Sequence, residues 1–176
     1  CLKLALIAIG PILLYPSAKR WCNYPQVFLA ICWGFSVLIP WAASEATLRG
    51  GFPLFFCWIS TCLWTFGFDT IYAMSDKEDD KRIGLNSSAI SLREKSLLAV
   101  SISYGLTSIF IALACHYAGV GYVFWFILIP VSMFMQREVW VLNKKNIITS
   151  KFSTHFNNQV IIGIVLLLGI ILGRSI

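Results

Sequence analysis

Six apolar runs, each close to the length that crosses a bilayer, constrain this chain more than any other feature. A hydrocarbon core of about 30 Å needs about 20 apolar residues in a helix. Residues 2–18, 24–43, 51–75, 96–117, 119–142 and 159–173 answer that description. In lipid every backbone N–H and C=O must be paired within the structure, and no strict alternation marks a barrel, so the runs read as helices. The expected fold class is all-α, a polytopic transmembrane helical bundle. Composition excludes the soluble alternatives: 58% of the 176 residues are hydrophobic and 12% are charged, and the mean hydropathy is +0.77. Soluble domains average roughly 45–50% apolar and about 25% charged.

The loops carry unequal charge. Lys19 and Arg20 follow the first run; Lys77, Lys81, Arg82, Arg93 and Lys95 follow the third; Arg137, Lys144, Lys145 and Lys151 flank the fifth loop. Only Lys3, Arg49 and Arg174 lie on the other side. The positive-inside rule places the basic side in the cytoplasm. That asymmetry accounts for most of the formal charge of +6, so no nucleic-acid partner is needed to explain it. The six cysteines form no C-x-x-C pair and mostly sit in apolar runs, where they read as small hydrophobes. Cys1–Ala18 has neither a basic leader nor a small-residue cleavage site, so it reads as a span rather than a signal peptide. The chain is expected to be the C-terminal part of something longer.

Six of the eight acidic residues lie between Asp69 and Glu94. If the third helix continues at 100° per residue, Asp69, Tyr72, Asp76 and Asp80 fall within an arc of about 80°, with Glu78 on the opposite face. Such a stripe is costly. Asp76 and Asp80 at i, i+4 repel by about 3 kcal/mol at an effective dielectric of about 20. An Asp near a span's centre costs about 2.5–3.5 kcal/mol. A hard cation offsets both terms, and Mg²⁺ characteristically takes one or two carboxylates plus substrate phosphates. The alternative is a solvated loop in which Lys77, Lys81 and Arg82 neutralise the acids. Elsewhere, His116 reads as an interfacial histidine, and Arg137 and Glu138 as contacts of headgroups or loops. Pro11, Pro40 and Pro130 read as helix kinks.

The stretch Asp69-Thr70-x-Tyr72-Ala73-Met74-x-Asp76-x-x-Asp79-Asp80-x-x-x-Gly84-x-x-Ser87 closely resembles the second aspartate-rich motif of UbiA-type prenyltransferases, in particular the 4-hydroxybenzoate polyprenyltransferase branch. Tyr15-Pro16-x-x-Lys19-Arg20 with Pro25-Gln26-Val27, Gly34-x-x-x-x-Ile39-Pro40 and Phe156-Asn157-Asn158 extend the resemblance over nearly the whole chain. One departure is Asn86, where the family usually has Lys.

The resemblance implies a nine-helix bundle of which these six spans are the last, with a first aspartate-rich motif upstream. It implies Mg²⁺ on Asp76 and Asp80, and transfer of a polyprenyl group from its diphosphate to the ring of 4-hydroxybenzoate, in ubiquinone or related quinone synthesis. Asp69 and Tyr72 would orient substrate, and Asp79 would be an alternative ligand. Arg20, Lys19, Tyr15 and Arg82 would bind diphosphate or the benzoate carboxylate. The setting implied is a bacterial inner membrane, with membrane lipid and small substrates as partners and no obligate protein partner. Two other readings stand beside it: a family member acting on homogentisate or a naphthoate, and a cation transporter using Asp69, Asp76 and Asp80. The other five runs hold almost no ionisable groups, which counts against a transporter.

Overall fold

The computed structural model describes residues 1–143 and 150–174, and the elements described are all helical. Lys144 and Lys145 lie outside the described residues. The long helices are α1 (Leu2–Trp21), α2 (Pro25–Glu45) and α3 (Gly51–Ser75). Two short helices follow, α4 (Lys77–Arg82) and α5 (Ser88–Leu92). A single 3₁₀ turn, Arg93–Lys95, leads into α6 (Ser96–Tyr117), then α7 (Val123–Leu142) and α8 (Ser150–Arg174). The six long helices are each long and apolar enough to cross a membrane.

Boundaries differ from the sequence reading where a polar or glycine residue has a structural use. The last helix begins nine residues before Gln159, because the polar stretch through Asn158 finds partners on α7. The fifth begins at Val123 rather than Gly119: Gly119 takes a positive φ of 69°, and Gly121 N donates to Gly173 O at 2.8 Å, so these residues turn the chain before α7 starts. Pro25 opens α2 at the position where a missing N–H costs nothing. In α4, Glu78, Asp79 and Asp80 occupy the first turn and Lys81 and Arg82 the last, which suits the helix dipole.

Packing runs in a chain from α1 to α2, from α2 to α3, and from α3 to α6, the broadest contact. Helix α6 then meets α7, and α7 meets α8, which returns narrowly to α3. Gly67 makes the α3–α6 contact close: a Cβ there would fall 2.5 Å from the Tyr104 ring. The main apolar core lies between α6, α7 and α8, around Tyr104, Phe124, Met135 and Leu142. By contrast, α1 is held chiefly through α2 and stands off from the rest.

Candidate active site

Tyr15 and Lys19 are i, i+4 on α1 and so share a face. That face looks toward the acidic end of α3. Lys19 Nζ donates to both carboxylate oxygens of Asp80, at 3.2 and 3.1 Å. Tyr15 lies within electrostatic reach of Asp69, Tyr72 and Cys32, and Asp69 within reach of Lys19 and Asp76. One cleft therefore gathers Tyr15, Lys19, Asp69, Tyr72, Asp76 and Asp80 from α1, α3 and α4, with Cys32 of α2 nearby.

The helix is interrupted at Asp76, where α3 ends and α4 begins, yet Asp80 N still donates to Asp76 O at 2.8 Å. The turn is thus kept, and the expected stripe survives a junction that the sequence reading did not foresee. Its members differ in surroundings. Asp69 and Asp80 are buried, Asp76 is half-buried and accepts from Ser75 Oγ, and Tyr72 is 57% exposed. Asp69 Oδ2 is buried and has no hydrogen-bond partner among the described residues. A buried, unpartnered carboxylate oxygen is expensive, and native structures keep such groups where something else binds.

A docked loop braces the cleft. Gly84 supplies a φ of 73° and turns the chain after α4. Asn86 N then donates to Lys19 O at 2.7 Å, Ser88 N to Gln26 Oε1 at 2.8 Å, and Ser91 Oγ to Asn23 O at 2.7 Å. Gln26 is 2% exposed. These bonds fasten the loop to the α1–α2 corner and so set where Lys19 stands relative to Asp80.

Other candidates fall outside the cleft. Arg82 donates to Asp79 at 2.9 Å and Lys81 to Glu78 at 3.2 Å, with both pairs well exposed on the far side of α4. The local bases therefore neutralise the outer acids, while the inner Asp80 takes its cation from α1. Arg20 is exposed, with no ion pair among the described residues. Among the described residues no three His, Cys, Asp or Glu side chains converge as a ready metal cage. The donor set of Asp76 and Asp80, with the unpartnered oxygen of Asp69 nearby, is all oxygen. That suits Mg²⁺, which uses one or two carboxylates and completes its shell with water and phosphate.

A cavity of about 250 Å³ opens beside this stripe, between Tyr72 and Ser75 of α3 and Phe152, Ser153 and Phe156 of α8. Phe156 also borders a mostly apolar groove of about 310 Å³ that continues past Phe68, Trp64 and Trp33. Tyr72 and Ser75 at one end, close along α3 to Asp69 and Asp76, and aromatic walls leading away suit an amphiphile with a charged head.

The model of the UbiA prenyltransferase family matches residues 1–160. The chain belongs to that family. It is 37% identical to the 4-hydroxybenzoate solanesyltransferase of Synechocystis sp. over 97% of this chain and 58% of that protein. It is 32% identical to the 4-hydroxybenzoate octaprenyltransferase of Vibrio atlanticus over 78% of this chain and 48% of that protein. A Vibrio campbellii protein of the same name is 30% identical over 97% of this chain and 59% of its own length. The chain thus spans about half to three-fifths of the curated relatives it matches. No solved structure matches it.

One polar cluster lies outside the expected site, although the Phe156-Asn157-Asn158 motif holds one of its members, Asn158. Glu138 of α7, expected to contact headgroups or loops, is 8% exposed; Asn158 Nδ2 donates to its Oε2 at 2.8 Å. His155, left outside the expected last span, is 2% exposed within α8, and its Nε2 is 2.8 Å from Tyr104 Oη. Spans other than the third therefore do hold ionisable groups, but these are bonded to one another. The available signal was Phe156-Asn157-Asn158, polar residues at the mouth of an apolar run. His116, by contrast, is exposed at the opposite end of α6.

Proposed function

We propose that this chain supplies the second aspartate-rich half of an active site that moves a polyprenyl group from its diphosphate to the ring of 4-hydroxybenzoate. One observation carries the reading: a buried Asp69 oxygen without a partner shares a cleft with Asp76, the Lys19–Asp80 pair, Tyr15 and Tyr72. The names of the relatives supply the substrate class. Asp76 and Asp80 would hold Mg²⁺, which when bound supplies positive charge for the departing diphosphate. Lys19, which meets Asp80, and Arg20, exposed and without an ion pair among the described residues, would bind phosphate or carboxylate oxygens at the basic membrane face.

In the transfer the allylic C–O bond breaks, and diphosphate leaves with the electron pair. The ring carbon ortho to the hydroxyl forms the new C–C bond and then loses its proton. Asp69 would orient the acceptor and take that proton. Tyr15 and Tyr72 present aromatic faces and hydroxyls to the reacting groups, while Asp79 would serve as an alternative ligand only by leaving its exposed pair with Arg82. Trp33, Trp64, Phe68 and Phe156 line the path for the isoprenoid and keep water from the cation. The basic loops, and with them the acidic stripe, face the cytoplasm across a bacterial inner membrane.

Membranes carrying the intact gene product should prenylate 4-hydroxybenzoate, and chelation of Mg²⁺ should stop the reaction. Supplying homogentisate and a naphthoate in parallel tests the acceptor. Turnover of one of these, with none of 4-hydroxybenzoate, would overturn the acceptor assignment. A transporter predicts metal uptake that is indifferent to diphosphate.

A further inference from the structure

The cavity beside Tyr72 has one wall on α3 and the other on α8, yet α3 and α8 touch only narrowly. The position of the far wall is therefore set through α7 and α6. Apolar contact between α7 and α8 fixes it poorly, because lipid tails offer each helix an equally apolar surface. Polar groups fix it well, since an unpaired carboxylate or amide in hydrocarbon is costly.

We propose that Asn158, Glu138, His155 and Tyr104 form an interhelical clasp that sets the width of the substrate cavity, making Asn158 and Glu138 positioning residues for the aromatic acceptor. Asn158 Nδ2 and Glu138 Oε2 are 2.8 Å apart, joining α8 to α7. His155 Nδ1 stands 3.6 Å from the same oxygen, within ion-pair range but beyond a hydrogen bond. On its other side His155 Nε2 meets Tyr104 Oη at 2.8 Å, joining α8 to α6. The Tyr104 ring in turn lies against Gly67, two residues before Asp69. On the α8 wheel, His155, Asn158 and Gln159 make one face, and Phe152, Phe156 and Ser153 the adjoining face. The first face is bonded into the bundle and the second lines the cavity. A turn of α8 about its axis that breaks the clasp also moves the cavity wall away from Tyr72 and Ser75.

The proposal rests on the prenyl-transfer reading for its substrate but not for its geometry, so two measurements separate them. The first is kinetic, in membranes carrying the intact gene product. Asn158→Ala should raise KM for the aromatic acid by about tenfold, the scale of the stronger interhelical hydrogen bonds. KM for the diphosphate donor should change little. Combining Glu138→Gln with Asn158→Asp puts the donor on α7 and the acceptor on α8, restoring the bond with its polarity reversed, and should return KM toward the wild-type value. A merely structural role would lower the amount of folded protein without moving KM and would show no such rescue. The second measurement needs no substrate. With the native cysteines replaced by alanine, Ser75→Cys and Ser153→Cys face each other across the cavity. Their cross-linking should slow in Asn158→Ala and recover in the swapped pair. An unchanged cross-linking rate in Asn158→Ala overturns the clasp whatever the enzyme's substrate. Altered cross-linking with wild-type acceptor KM overturns its link to the acceptor.

Discussion

At the acidic end of α3 and α4, Asp69 keeps a buried oxygen with no partner and Tyr72 stands exposed beside a cleft. At the same end of α6, α7 and α8, Tyr104, His155, Glu138 and Asn158 are bonded among themselves. Both clusters set polar groups into apolar helices, and both would be costly if left bare. The second discharges that cost internally and holds helices together. The first leaves part of it undischarged, facing a space bounded by a helix that packs mainly on α2. Burial follows the same division: 11% of the α1 span is buried against 33% of the α7 span. Polar residues in a membrane bundle thus divide by whether their partners are already present, and the cluster that lacks them is the place to look for chemistry.

The sharpest way to break this comparison is to remove a carboxylate from the open cluster. Asp76→Asn or Asp80→Asn should reduce turnover by two orders of magnitude or more, since a lost metal ligand costs several kcal/mol of barrier and each 1.36 kcal/mol is about tenfold. Membrane insertion should be normal by protease accessibility. Near-normal turnover at saturating Mg²⁺ and donor would remove the metal assignment.

The closed region should answer differently. Gly67→Val places methyl groups against the Tyr104 ring, and overpacking of this kind costs about 1–3 kcal/mol. The expected result is a lower melting temperature in detergent and a smaller folded fraction. Next in size comes the basic face. Lys19→Met leaves buried Asp80 without its cation and should cut turnover about fivefold, consistent with about 1 kcal/mol for a partly exposed pair. Arg20→Lys keeps the charge that orients the helix but loses the guanidinium fork, and should raise KM for the acid several-fold. Unchanged kinetics would make Arg20 an anchor only. The smallest effect is expected at Arg82→Gln, whose partner Asp79 is as exposed as itself. Exposed pairs contribute about 0–1 kcal/mol, so turnover and melting temperature should both stay near the wild-type values.

Hydropathy alone located all six long helices, because hydrocarbon permits so few solutions for the backbone. It misplaced the start of α8, since Ser153, His155 and Asn158 lower the hydropathy of a stretch that is helical through contacts with other segments. Within the site, the one-face spacing of Asp69, Tyr72, Asp76 and Asp80 was legible from helical geometry. That Lys19, rather than the nearer Lys77, Lys81 or Arg82, would meet Asp80 was not. The choice depends on how Asn86, Ser88 and Ser91 dock on the α1–α2 corner, a tertiary fact that no local pattern contains. Gln26 is similar: as a sequence residue it belonged to a motif, and only burial against Ser88 shows its work as a brace.

The Lys19–Asp80 bond spans 61 residues of chain. At about 5–20 residues per second, synthesis separates the two partners by about 3–12 s. Throughout that interval the Lys19 ammonium lacks this partner, and a lysine at a helix end can lay its stem along the apolar surface while the ammonium keeps to the polar boundary. A basic residue held there favours one orientation of α1. Once Asp80 is made, the same charge can pair with its carboxylate. One ammonium can thus favour an orientation during insertion and then pair with Asp80 in the finished fold, in an order set by the direction of synthesis.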